Sequence, residues 1–143
     1  MPELPEVQTL VSQLNQLLEG REIGGVEILN ETLLETPRPE LEKNISGKKI
    51  LQVLRRGKYL RMDLSKGWTL WFHLGMTGQL LLGPVSKTLA PHTHFLLSFV
   101  GSAERLLFRD VRRFGAIAFT PSLEDAFPRG VQNLGREPGE WEA

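Results

Sequence analysis

The sequence predicts a mainly β fold: an antiparallel β-sandwich flanked by an N-terminal α-helix and short helices. Three observations carry this reading. An apolar period of helical spacing occupies residues 5–19 and stops at Gly20. Apolar segments of strand length then recur at 23–29, 50–55, 59–64, 69–73, 79–82, 95–100, 105–108 and 116–120. Turn residues such as Ser65-Lys66-Gly67 and Gly101-Ser102-Ala103 separate them. Many short strands at close spacing, without full helices between them, are the pattern of an antiparallel sandwich.

In the helix, Val7, Leu10, Val11, Leu14, Leu17 and Leu18 fall on one face, which is expected to meet the core. Pro5 suits its first turn and Gly20 the position just past its end. In the segment 23–29, Gly24-Gly25 marks a weak point or bulge. Thr36-Pro37-Arg38-Pro39 reads as a loop and 40–44 as a short helix. Residues 59–64 alternate in part, as a half-buried strand does. Residues 122–126 are expected to form a helical turn. The Gly- and Pro-bearing end, 135–143, reads as a linker, leaving 1–134 as one domain.

The chain has 143 residues, enough for one core, with 41% hydrophobic and 24% charged residues, as in ordinary globular domains. Seventeen basic and seventeen acidic residues cancel, which argues against a uniformly basic nucleic-acid coat. There is no cysteine, so neither a disulfide framework nor a thiolate metal site is available. No apolar run approaches a membrane span, and the N-terminus lacks a secretory pattern, so a cytoplasmic protein is expected.

The start, MPELPEV, is the chemical centre of the sequence. Removal of Met1 would leave Pro2 with a free secondary amine. An α-amino group titrates near about 7.7–8.0 and is partly neutral at physiological pH. Such an amine can attack a sugar C1′ or an aldehyde and form an iminium ion. Glu3 stands beside it to move protons, and Glu6 follows one helical turn later. The same prolines also suit a helix start. The positive end of the helix would favour a nearby anion.

Three polar islands interrupt the strands. The first is Arg55-Arg56-Gly57-Lys58-Tyr59, which suits either a solvated turn or a phosphate contact through Lys58. In the second, His73-Leu74-Gly75-Met76-Thr77-Gly78, two glycines let backbone approach a ligand, and Met76 is either core or an exposed wedge. The third is Arg109-Asp110-Val111-Arg112-Arg113-Phe114-Gly115. An Arg beside an aromatic suits base-edge hydrogen bonding and insertion between stacked bases. Alternatively, Asp110 forms a surface ion pair with a neighbouring Arg. His92 and His94 would share one face of a strand, more apt for phosphate contact or packing than for a metal.

With MPELPEV, GKYL, HLGMTG and RDVRRFG in this order, the sequence resembles the formamidopyrimidine-DNA glycosylase family (Fpg or MutM), specifically its N-terminal catalytic domain. The resemblance implies a β-sandwich with flanking helices. It implies a bifunctional glycosylase and AP lyase of base-excision repair, acting on oxidised purines through an N-terminal proline Schiff base. Pro2 would be the nucleophile, Glu3 would protonate the sugar ring oxygen, Glu6 would support the site, and Lys58 would contact phosphate and assist elimination. His73 and His92 would contact the DNA backbone. Met76, Arg112, Arg113 and Phe114 would bind DNA, Arg112 reading the orphaned base and Phe114 wedging the stack. The partner would be double-stranded DNA containing oxidised purines or abasic sites, met by a monomer.

Family members are about twice this length. Their second half carries a helix–two-turns–helix module and usually a zinc finger with four cysteines. The resemblance therefore implies that no cofactor binds within this chain, and that 135–143 begins the interdomain linker. Val111 stands where the family often has proline. Two other readings compete: a catalytically weak DNA-binding remnant of the same fold, and an N-terminal-proline enzyme acting on small carbonyl compounds. The latter leaves the Met and Arg-Arg-Phe segments unexplained.

Overall fold

A computed structural model describes residues 4–75, 78–84, 91–111 and 115–122, with side chains described from Gln8 onward. Helix α1 (Leu4–Leu18) leads into β1 (Ile23–Ile28), a 3-10 turn (Glu31–Leu33) and helix α2 (Arg38–Ile45). Seven strands follow: β2 (Ile50–Arg56), β3 (Tyr59–Leu64), β4 (Trp68–His73), β5 (Gly78–Pro84), β6 (Thr93–Phe99), β7 (Glu104–Asp110) and β8 (Ala116–Pro121). They form two four-stranded sheets, ordered β1-β6-β7-β5 and β2-β3-β4-β8. Every strand pairing within them is antiparallel. This is the sandwich the sequence predicts.

The core forms because alternate residues of each strand point inward. In β3, Leu60, Met62 and Leu64 are buried facing the other sheet, as are Leu70 and Phe72 in β4 and Phe95, Leu97, Leu106 and Phe108 opposite. Phe72 joins the two sheets: its ring stacks near that of Phe108, centroids 5.9 Å apart, and meets Phe95 edge-on at 5.8 Å.

Helix α1 closes the β2 edge. Val11, Leu14 and Leu18 are buried, and Leu10 packs against them. Leu17 does not join them: it is half exposed, on the flank where its carbonyl accepts from Arg21 Nε. The helix stops at Gly20, whose φ of 86° continues no right-handed helix and whose N–H turns to Ile50 O at 2.7 Å. Asn15 Oδ1 accepts from Val53 N at 2.7 Å, and Gln8 Oε1 lies 3.4 Å from Arg55 Nε. These contacts run α1 antiparallel to β2, so the start of the helix comes to the end of the sheet that bears the β2–β3 turn.

The bulge expected at Gly24-Gly25 is present as a register shift between Ile23 and Gly25 opposite β6. Two local expectations change. Arg38 and Pro39 belong to α2, not to a loop, because proline suits the first helical turn. The helical turn expected at 122–126 and the linker at 135–143 lie outside the described residues, Ser122 excepted.

Candidate functional site

Several loops and strand ends converge at one end of the sandwich. In the first polar island, Arg56 pairs with Tyr59 across a two-residue turn, Gly57-Lys58. Gly57 takes a φ of 59° while Lys58 does not go positive, the pattern of a type II′ turn with glycine first. Arg55 Nη1 donates to Gly57 O at 3.2 Å and braces the turn. Lys58 is left exposed at the tip. The Arg56 guanidinium is held below its usual range, first by burial and then by the Arg61 charge.

His73 ends β4 and pairs with Tyr59 on one side and Ala116 on the other. Its ring is tilted against that of Tyr59, with centroids 4.9 Å apart. Burial is the largest cause lowering its pKa, followed by the Lys58 charge, while Glu35 and Asp110 pull in the other direction. The imidazole is therefore disposed to be neutral at pH 7 and close to a cation. Tyr59 Oη reaches Glu35 Oε2 at 3.5 Å, so an acidic group stands behind this pair.

The second island closes on itself. Gly75 takes a φ of 62°, and Gly78 N donates to Leu74 O at 2.7 Å. A Cβ on Gly78 would run into Leu74 O and its backbone neighbours, so a side chain there would force the loop open. Gly78 pairs directly with Asp110 across β5 and β7.

Asp110 does not lie at the surface, where the sequence allows an ion pair. It is fully buried, and its Oδ2 accepts from Gly115 N at 2.8 Å. Its N–H donates to His92 O at 3.0 Å, and its carbonyl accepts from His94 Nε2 at 2.7 Å, which fixes the proton on that nitrogen. The expectation that His92 and His94 share a strand face fails. His92 lies before β6 with a φ of 64° and is exposed, whereas His94 is buried beneath.

Lys58, His73 and His92 are thus described. Pro2, Glu3, Met76, Arg112, Arg113 and Phe114, and the side chain of Glu6, lie outside the described residues. Their described neighbours, the start of α1, Gly75 and Gly78, and Val111 and Gly115, belong to the segments just traced. Glu35 and Asp110 were not singled out as site residues by the sequence. Nothing local marks Glu35. For Asp110 the signal was a glycine five residues on, the spacing a carboxylate-closed loop needs. Among the described residues no group of three His, Cys, Asp or Glu side chains is placed to hold a metal. The four-cysteine donor set that the resemblance associates with zinc has no counterpart in this sequence.

Residues 1–117 match the model of the formamidopyrimidine-DNA glycosylase N-terminal domain. The chain belongs to the formamidopyrimidine-DNA glycosylase family. It is 43% identical over 139 residues to the formamidopyrimidine-DNA glycosylase of Pelotomaculum thermopropionicum, covering 96% of this chain and 50% of that protein. A relative from Solibacter usitatus is 43% identical over 141 residues, again covering 50% of its length. The chain therefore spans about half the length of these curated relatives.

Among solved structures, the chain is similar to Lactococcus lactis formamidopyrimidine-DNA glycosylase bound non-covalently to AP-site DNA. That match has a TM-score of 0.79 and 30% identity, and covers 85% of this chain and 46% of that one. The Lactococcus enzyme bound to N7-benzyl-Fapy-dG DNA also matches at 0.79, with 31% identity over 85% of this chain and 44% of that one. The family's N-terminal sandwich is the fold described above.

Proposed function

We propose that this chain carries the catalytic half of a bifunctional DNA glycosylase and AP lyase of base-excision repair. Its substrates are double-stranded DNA with oxidised purines, such as 8-oxoguanine and formamidopyrimidines, or with abasic sites. It works in the cytoplasm as a monomer, with Pro2 as nucleophile. The supporting observation is the convergence at one end of the sandwich: the start of α1, the exposed Lys58 turn and His73 come together there. The DNA complexes of the Lactococcus relative, with an AP site and with a formamidopyrimidine, add support for the substrate class.

In this reading the Pro2 nitrogen attacks C1′ and the C1′–N bond to the damaged base breaks, the base leaving with a proton. The nitrogen loses its own proton, its lone pair opens the C1′–O4′ bond, and Glu3 delivers a proton to O4′. The product is an iminium ion at C1′. It acidifies the C2′ protons, so loss of one expels the 3′-phosphate. Water then hydrolyses the iminium and regenerates the amine. Lys58 neutralises phosphate at the lesion, and exposed His92 and half-buried His73 contact the backbone. Glu6 supports the nucleophile. Met76, Arg112 and Phe114 occupy the space left by the flipped base, and Arg113 binds DNA beside them.

Borohydride reduction of the chain mixed with abasic-site duplex tests this, because hydride adds to C1′ of the iminium and leaves a stable amine. The expected result is a covalent adduct that peptide mapping assigns to the Pro2 amine. An adduct assigned only to a lysine, or none with Met1-trimmed protein, would overturn the assignment.

A further inference from the structure

We infer that Arg109 is a positioning residue: from the outer face of β7 it holds the Pro91-His92 turn so that the His92 imidazole stands exposed toward duplex DNA. The inference rests on the DNA reading above, in which His92 contacts the backbone. Phe108 is buried in the core, so Arg109, the next residue along the strand, points to the opposite face. There it lies in one cross-strand row, between Gln79 of β5 and Thr93 of β6. Its guanidinium reaches to both sides of that row. Nε donates to Pro91 O at 2.7 Å, and Nη1 donates to Gln79 Oε1 at 3.1 Å. The residue after it donates its backbone N–H to His92 O at 3.0 Å. The carbonyls of Pro91 and His92 are thus both tied to the end of β7.

Those two carbonyls belong to the peptide planes on either side of the His92 Cα. His92 itself is exposed and takes a φ of 64°, a left-handed conformation that glycine adopts without strain and a side chain does not. A residue stays in such a conformation where its surroundings over-determine the backbone, and these positions gather at sites that contact ligands. Arginine suits the task because its planar fork meets two oxygens in a fixed geometry. Two residues further on, His94 is buried and bonded to Asp110 O at 2.7 Å, so its ring anchors the strand end and is not offered outward. The exposed imidazole of His92 stands at the end of the sandwich where β4 ends in His73 and β2 turns at Lys58. That is where a phosphate of the backbone would pass in the DNA reading. Arg109 touches no reacting atom and acts through the placement of His92.

A double-mutant cycle tests whether Arg109 works through His92 or through its own charge. The measurement is Kd for an abasic duplex, by fluorescence anisotropy at low salt, for wild type, Arg109→Met, His92→Gly and the two together. Glycine keeps the left-handed turn and removes only the imidazole. Arg109→Met is expected to raise Kd roughly tenfold, the scale of one hydrogen bond to a charged group. In the His92→Gly background the same substitution should change Kd less than about twofold. Equal weakening in both backgrounds would mean that Arg109 acts by its own charge, and would overturn the inference. So would His92→Gly protein that binds as tightly as wild type.

The ring signals separate placement from general loosening. The chain has three histidines, so each imidazole can be followed by NMR as duplex is added. In wild type the His92 signal is expected to shift with DNA, and in Arg109→Met that shift should shrink at matched saturation. The His94 signal of the free variant should stay at its wild-type position. A His94 signal displaced in the free variant would mark damage to the strand end in place of a lost placement, and would overturn the inference. If Arg109→Met does not fold, Gln79→Ala releases the same guanidinium from an exposed position without changing the charge. It enters the same cycle with the same signs expected, and additivity there would be equally fatal. Wild-type protein that binds no abasic duplex would instead sink the DNA reading, a result distinct from binding whose cycle is additive.

Discussion

His73 and Tyr59 face each other across β4 and β3 with ring centroids 4.9 Å apart, at the end of the sheet where Lys58 is exposed. This pairing half-buries the imidazole beside a cation, and both burial and Lys58 disfavour its protonated form. In the unfolded chain neither applies. The folded pKa therefore lies below the unfolded value near 6.5. The unfolded state binds the extra proton first, so the contribution to stability is complete above that value and is lost as pH falls through the folded pKa. Urea midpoints measured between about pH 5 and 8 are expected to decrease toward acid, and His73→Gln should flatten that part of the profile. An unchanged slope in the variant would show that His73 is not the titrating group.

DNA binding should reverse this preference at the same residue. A phosphate near His73 would favour the imidazolium, so binding should take up a proton and tighten as pH falls through the neutral range. Calorimetry in buffers of different ionisation enthalpy would detect the uptake. Its absence in wild type, or persistence in His73→Gln, would remove His73 from the interface.

Phe72 is the ring on which both sheets meet, being fully buried and in contact with Phe95 and Phe108. Phe72→Ala should cost about 3–5 kcal/mol by urea denaturation, through lost transfer energy and a cavity the two sheets cannot close. Thr36 carries a different kind of stability. Its hydroxyl accepts from Phe119 N at 2.7 Å and donates to Phe119 O at 3.0 Å, capping the β8 edge like a missing strand residue. Thr36→Val should cost about 1–3 kcal/mol, because two buried backbone groups lose their partner with little change of shape. A cost below roughly 0.5 kcal/mol would mean that water replaces the hydroxyl.

These elements differ in how far the sequence reveals them. The strands and α1 were legible because burial imposes a period on them, and the Gly24-Gly25 bulge because paired glycines weaken a strand. Leu17 read as core, yet is half exposed, because the period does not tell where the buried stripe of a helix stops. His92 and His94 read as a strand pair, but the left-handed turn at His92 sets them on different sides, and backbone handedness at a non-glycine leaves little trace in sequence. Asp110 read as a surface ion pair because charge normally stays in water. Among its described partners is the N–H of Gly115, reached only once β7 and β8 are folded. Thr36 was read as loop because its partners lie 83 residues away.

The electrostatics predict a shallow salt dependence. Each phosphate neutralised contributes a log–log slope of about −0.9. With formal charge zero, and Lys58 the exposed cation of the β2–β3 turn, the 143-residue chain should bind abasic duplex weakly. Its slope should be smaller than that of the relatives twice its length. Lys58→Ala should reduce the slope by about one unit and weaken binding uniformly across sequences. Fluorescence anisotropy over a salt series measures both, and nanomolar lesion-specific binding at physiological salt would contradict the expectation.

The chemistry of the first residues gives the sharpest test. If Met1 is retained, the Pro2 nitrogen is an amide, with no lone pair to offer C1′; if it is removed, the nitrogen is a secondary amine that is partly neutral at pH 7. Trapping an already opened abasic aldehyde needs only that amine and local proton transfer. Excising an intact oxidised purine also needs the base flipped out of the stack, at a cost of a few kcal/mol. A shortfall of only about 3 kcal/mol in transition-state stabilisation slows a reaction more than a hundredfold. The 143-residue chain with Met1 removed should therefore form borohydride-trapped adducts slowly with abasic DNA and excise 8-oxoguanine little or not at all. Pro2→Gly should trap less, as a primary amine in place of the secondary one, and Met1-retained protein should not trap at its N-terminus. Intact mass fixes which form is present, and peptide mapping fixes where the sugar is attached. Equal crosslinking by the Met1-retained form would move the nucleophile to a lysine, Lys58 first among the exposed candidates, and end the case for Pro2.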